Sequence, residues 1–182
     1  MRNNPIIMAA QFAAKAHWGQ LRKFSGRPYI EHPARVATGV MLLRNSKLLC
    51  EDIVCAAWMH DVLEDCPGVE IPAYFGAWVQ RLVQGLTNPS KQHPTLPRNE
   101  RKAMDRQHLK NCEGWVQIIK LIDRIDNVRE LDQAPADFRS LYIRESELLC
   151  EALDAPAHPV IGPLCRELQW LLRQLVAGEK LC

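Results

Sequence analysis

Residues Trp115 to Leu131 read WVQIIKLIDRIDNVREL. Val116, Ile118, Ile119, Leu121, Ile122 and Ile125 place apolar side chains almost all round a helix. Such a helix is buried on every side, so the segment predicts the central helix of an all-α domain. Outward from it the same 3.6-residue period recurs. Asn4-Pro5 is an N-cap followed by proline at the first helical position, and Gly19 closes that first run. His32-Pro33 opens a second helix carrying Val36, Val40, Leu42 and Leu43. A third is expected from about Glu51 to Leu63, stopped by Cys66-Pro67-Gly68, and a fourth from about Pro72 to Leu86. Thr87 to Pro97 holds several prolines and no apolar period and reads as a surface loop. A polar helix spans about Arg98 to Lys110, and two more about Asp137 to Leu153 and Pro159 to Ala177. No stretch alternates as a strand does. The expectation is one all-α domain over residues 1–182, a bundle of about eight helices.

Composition narrows the function. With 182 residues the chain is long enough for one core. A net charge of +2 gives no basic track for a nucleic acid and no pull toward an anionic membrane. No apolar run nears the ~18 residues that span a bilayer, and the start, Met1-Arg2-Asn3-Asn4-Pro5, has no signal-peptide core. The seven cysteines are odd in number and form no Cys-x-x-Cys pair, which argues against a zinc–thiolate site and for a reducing cytoplasm.

Four separated residues carry chemistry: His32, the adjacent His60-Asp61, and Asp123. Two imidazoles and two carboxylates suffice to hold one divalent ion. Asp123 lies in the most apolar helix of the chain, where a lone charge is costly. A metal relieves that cost; a buried salt bridge with Arg124 or Lys120 is the alternative. His60 and Asp61 are expected on one helix, about 100° apart, with Glu64 and Asp65 one turn on as proton-handling carboxylates. Nitrogen and oxygen donors without sulfur suit Mn²⁺, Fe²⁺ or Zn²⁺, with Mn²⁺ favoured. The set points to metal-assisted hydrolysis of a phosphate ester.

Three segments resemble the motifs of the RelA/SpoT hydrolase domain, in order and spacing. They are Gly19-Gln20-Leu21-Arg22-Lys23-Phe24-Ser25-Gly26-Arg27-Pro28-Tyr29-Ile30-Glu31-His32-Pro33, Trp58-Met59-His60-Asp61-Val62-Leu63-Glu64-Asp65, and Lys120-Leu121-Ile122-Asp123-Arg124-Ile125-Asp126-Asn127-Val128-Arg129. The resemblance implies the HD-domain helical bundle and Mn²⁺-dependent removal of the 3′-pyrophosphate from the alarmones ppGpp and pppGpp. It implies His32, His60, Asp61 and Asp123 as metal ligands, Glu64 and Asp65 as catalytic carboxylates, and Arg22, Lys23 and Asn127 as nucleotide contacts. Full-length members continue into synthetase and regulatory domains. This chain ends at Cys182, so it is similar to the small stand-alone SpoT-like hydrolases of metazoan type, some of which also dephosphorylate NADPH. Ile122 and Asp126 depart from the pattern, which usually has alanine and a histidine or tyrosine there.

Other residues keep two readings. Tyr142 either stacks on a base or ribose or packs in the core, and Asn127 either binds the sugar or joins a helix-face network. Arg101, Lys102 and Arg106 share one polar helix and either reach phosphates or form a solvated face, the latter preferred; His17 reads as packing beneath the site and His93 as exposed. Against the alarmone hydrolase stand a phosphohydrolase for another nucleotide such as NADPH, and a non-catalytic alarmone-binding module. The latter predicts loss of a ligand or of Glu64-Asp65, and all are present.

Overall fold

A computed structural model describes residues 4–43, 50–153, 155 and 158–178. The central helix is α7, Gly114–Arg129, as the apolar pattern requires; α1–α6 precede it in chain order and α8 and α9 follow. Helices α9 (Ile161–Ala177), α2 (Glu31–Met41) and α5 (Gly76–Leu86) pack against it. Ile119 and Leu121 are fully buried there, each contributing about 1.5–3 kcal/mol. Helix α1 (Pro5–Ala16) begins where Asn4 Oδ1 accepts the Ile6 N–H at 2.9 Å and the Ile7 N–H at 3.3 Å. It packs on α3 (Glu51–Trp58), which also leans on α2 and α5. Helices α6 (Arg98–Lys110) and α8 (Ala136–Ala152) close the remaining side. Among the described residues there is no strand, only an isolated Leu21–Pro28 bridge. No described helix is long and apolar enough to cross a membrane.

Four local expectations change. The second helix stops at Met41, leaving Leu42 exposed and Leu43 against the core. The expected Glu51–Leu63 helix breaks at Met59: α3 ends, and a one-turn α4 (Val62–Asp65) restarts after His60 and Asp61. The expected Pro72–Leu86 helix starts as a 3₁₀ turn, Ala73–Phe75, and re-aims at Gly76, whose φ of +87° favours glycine. The loop after α5 is not wholly on the surface. It folds into a 3₁₀ turn, Pro89–Gln92, and buries Ser90, whose N–H and hydroxyl both donate to Asp105 on α6. His158 caps α9: its Nδ1 accepts the N–H groups of Val160 and Ile161. Cys50, Cys55, Cys66, Cys112 and Cys150 are thiols without disulfides, and Cys182 lies outside the described residues.

Candidate metal centre and substrate cavity

Three elements bring the four residues together. His32 sits in the first turn of α2, delivered by a loop that folds back on itself: the Arg22 N–H donates to the Arg27 carbonyl at 2.8 Å, and the Tyr29 N–H to the Gln20 carbonyl at 2.9 Å. His60 and Asp61 lie at the break between α3 and α4, and Asp123 lies midway along α7. The break matters. On a continuous helix the two side chains would diverge by about 100°. Here Met59 and Asp61 take φ near −105° and −102° with ψ near zero, and His60 Nε2 comes within 2.9 Å of Asp61 Oδ2.

His32 Nε2 is 3.2 Å from His60 Nε2, 3.4 Å from Asp61 Oδ2 and 3.1 Å from Asp123 Oδ1. One ligand atom from each of the four residues lies within 4.8 Å of all the others. Atoms bound at about 2.1 Å to a common centre lie about 3 Å apart when at right angles, so the donor set fits one ion. Its chemistry agrees. His60 Nδ1 donates to the Ala57 carbonyl at 2.8 Å, and His32 Nδ1 lies 2.7 Å from Asp126 Oδ2. Both rings therefore turn Nε2 inward, the nitrogen a metal would take.

The pocket attracts positive charge. Burial works to lower the His32 pKa, but hydrogen bonds to Asp123, Asp126 and Asp61 outweigh it and hold it well above the ordinary value. Burial pushes Asp61 up, yet the His60 charge and the His32 hydrogen bond keep its carboxyl well below the usual range. For Asp123 burial is again overcome, chiefly by Lys120, whose Nζ lies 2.9 Å from Oδ2. Asp123 is divided: one oxygen pairs with Lys120, the salt-bridge partner expected from the sequence, and the other faces the imidazoles.

A cavity of about 200 Å³ opens from this centre. Glu64 and Asp65 line it, as do Lys102, Arg106, Lys120 and Arg124. Lys102 and Arg106 are thus part of the site and not a solvated face, because α6 turns that side inward over α7; Arg101 instead donates to the Leu96 carbonyl. Burial and the Arg124 charge lower the Lys102 pKa. Arg124 Nε is buried with no partner. Glu64 Oε1 accepts the Asn88 N–H at 2.6 Å, and Lys91 reaches Glu64 at 3.5 Å and Asp65 at 3.4 Å. The loop after α5 is therefore strapped to both carboxylates.

A second cavity, about 260 Å³, shares Tyr29, Asn127 and Tyr142 with the first and adds Arg22, Lys23, Phe24 and Phe138. Lys23 Nζ lies 5.3 Å from the Phe24 and Phe138 ring centres. Tyr142 packs as the core reading expects, its ring stacking on Phe138 and carrying the Arg124 guanidinium at 4.3 Å, and it also lines both cavities. Arg22 and Asn127 are engaged within the protein. Arg22 donates to Asn127 Oδ1 at 2.7 Å and to Glu130 at 3.0 Å, and Asn127 donates to Asp123.

The sequence reading missed Tyr29. Its hydroxyl lies 2.7 Å from Asp61 Oδ2 and 3.0 Å from Asp65 Oδ2, and His17 stacks beneath its ring. It also missed Asp126, Arg35 and Glu130 behind His32. The departure at Asp126 was the one visible signal.

The model of the HD domain matches residues 9–153. The MESH1 guanosine-3′,5′-bis(diphosphate) 3′-pyrophosphohydrolase of Danio rerio is 33% identical over 131 residues, covering 70% of this chain and 69% of that protein. The Homo sapiens MESH1 is 34% identical over 131 residues, 70% of each. The bifunctional (p)ppGpp synthase/hydrolase SpoT of Escherichia coli is 37% identical over 141 residues, 74% of this chain but 19% of SpoT. A solved structure of a metazoan ortholog of SpoT, described as hydrolysing ppGpp, superposes with a TM-score of 0.81 at 25% identity, covering 96% of this chain and 97% of that one.

Proposed function

The chain belongs to the HD-domain family, and from that premise we propose that it is a metal-dependent phosphohydrolase that removes the 3′-pyrophosphate of ppGpp and pppGpp, leaving GDP or GTP. The observation that carries this reading is the juxtaposition of four inward-facing donor atoms with a cavity lined by four further carboxylates, Glu64 and Asp65 nearest the centre and Asp105 and Glu145 beyond, and by four cations. The relatives named as ppGpp pyrophosphohydrolases support the substrate. His32, His60, Asp61 and Asp123 would hold the ion, and Mn²⁺ suits two imidazoles and two carboxylates. When bound, a divalent ion supplies a more acidic water and positive charge for phosphoryl oxygens.

The chain's own side chains do the rest. Glu64 and Asp65 take the proton of the attacking water. The new oxygen–phosphorus bond forms as the bond from that phosphorus to the 3′ oxygen breaks, and the proton passes to the leaving oxygen. Lys102, Arg106 and Arg124 meet the charge of the pyrophosphate; the unpartnered Arg124 Nε is a donor in need of an acceptor. The aromatic and cationic wall of Lys23, Phe24, Phe138 and Tyr142 takes the base. We read the chain as one hydrolase domain acting on a small nucleotide and not on nucleic acid, in keeping with its near-neutral charge. The buried thiols of Cys55, Cys66 and Cys150 support a cytoplasmic setting.

The test is pyrophosphate release from ppGpp by the Mn²⁺-loaded protein. Asp61→Ala is expected to abolish it, and Glu64→Gln to lower kcat by about 10²–10⁴-fold. Mn²⁺-loaded wild type that leaves ppGpp intact but dephosphorylates NADPH would replace the substrate and leave the metal chemistry standing.

A further inference from the structure

We infer that Asp126 is the positioning residue of His32, that Arg35 fixes it, and that both belong to a chain of hydrogen bonds joining two of the metal ligands from behind. The inference rests on the metal reading of His32 and Asp123.

His32 is fully buried, and its Nδ1 lies 2.7 Å from Asp126 Oδ2. Asp126 is itself gripped by Arg35, Nε to Oδ1 at 2.6 Å and Nη2 to Oδ2 at 3.0 Å. A two-pronged guanidinium keeps that carboxylate ionised and therefore acceptor-only. Nδ1 must then carry a proton, so Nε2 is the nitrogen that faces His60, Asp61 and Asp123 and would offer its lone pair to a metal once its own proton is displaced. His60 is supported differently. Its Nδ1 donates to a neutral carbonyl, that of Ala57 in its own helix. Of the two imidazoles, only His32 leans on a charge.

The arrangement continues. Arg35 also bonds Glu130; Glu130 accepts from Arg22 Nε at 3.0 Å; Arg22 donates to Asn127 Oδ1 at 2.7 Å; Asn127 donates to Asp123 Oδ1. The path runs from His32 to Asp123 through Asp126, Arg35, Glu130, Arg22 and Asn127, and the two ends meet at 3.1 Å across the ligand cluster. Helical spacing builds it. His32 and Arg35 are three apart on α2, Asp123 and Asn127 are four apart on α7, and Asp126 lies four before Glu130, the residue that caps α7. Each link pairs a donor with an acceptor, Asn127 serving as both, so each bond orients the next.

The test uses Mn²⁺ alone, with no nucleotide. Its Kd is measured by titration calorimetry for wild type, Asp126→Asn, Arg35→Gln and the double variant, alongside thermal melting in EDTA. Asp126→Asn is expected to weaken binding by about ten- to a hundredfold. Arg35→Gln should weaken it in the same direction, by less. The double variant should match Asp126→Asn to within about twofold, because Arg35 acts through Asp126. Pulsed EPR of the Mn²⁺-loaded Asp126→Asn protein should show one of two imidazole nitrogen couplings altered, a readout that a merely structural role leaves unmoved. Unchanged affinity in Asp126→Asn, or single effects that multiply in the double variant, overturns the inference. If Asp126→Asn does not fold, Arg35→Gln decides, and wild-type affinity there is the overturning result. A wild type that binds no divalent ion removes the metal reading as well; one that binds while the variants bind equally removes this inference alone.

Discussion

Tyr29 has one hydroxyl proton and two carboxylates to serve. It lies between Asp61 and Asp65, donating to one and touching the other. Burial first, then the charges of Asp61 and Asp65, hold its pKa far above that of a free phenol, so it stays protonated. Without it, two acids face each other with no donor between them. Tyr29→Phe should destabilise the metal-free protein by about 1–3 kcal/mol, and the loss should shrink with Mn²⁺ bound, because the cation then offsets the Asp61 charge. Urea denaturation in EDTA and in Mn²⁺ measures both; equal losses in the two would show that the hydroxyl only packs. In the linear chain Tyr29 stands beside Pro28 in a turn, and nothing local marks it as a partner of residues 32 and 36 positions away. The four clustered residues themselves were legible, because an imidazole or carboxylate in an apolar setting must find a partner wherever it lies.

At the scale of elements, the contact that sets the centre is α2 against α7. A Cβ at Gly39 would come within 2.7 Å of Ile122 Cγ2, so only glycine lets the helix bearing His32 approach the helix bearing Asp123 this closely. Gly39→Ala should cost about 1–3 kcal/mol through overpacking and weaken Mn²⁺ binding by prising the ligands apart. Ile122→Ala in the same chain should restore much of both. Chemical denaturation and metal titration of the three variants check it, and a double variant no better than Gly39→Ala would point to another cause. The break between α3 and α4 belongs to this scale too. The apolar period runs unbroken from Ile53 through Val54, Ala57 and Trp58 to Val62, so a local reading sees one helix. Tertiary contacts divide it: burial of Met59 and Val62 and the inward turn of His60 and Asp61 require a tighter path than one α-helix provides.

For the molecule as a whole, buried thiols make stability depend on pH. Burial first, with Asp52 and Glu51 adding, pushes the Cys55 thiol up to about 12. An unfolded cysteine loses its proton near pH 8.5. The raised folded value therefore gives stability that is fully present below about pH 8.5 and is lost as pH climbs toward 12, at up to ~1.4 kcal/mol per pH unit. Cys55→Ala should flatten that slope in urea titrations between pH 8.5 and 11; an unchanged slope would assign the effect to other groups. The strap of residues after α5, with Ser90 on Asp105 and Lys91 on Glu64 and Asp65, likewise exists only in the assembled fold. Amino-acid order alone determined the helical class, the buried status of α7, and which imidazoles and carboxylates converge. Those follow from apolar period and from the intrinsic donor character of imidazole and carboxylate, both of which are local. Packing alone decided that α6 turns Lys102 and Arg106 inward, that α3 breaks at the ligand pair, and that Arg35 meets Asp126 across 91 positions. Distances of that kind depend on how closely two helices can approach, and here a missing methyl at Gly39 against Ile122 permits the approach.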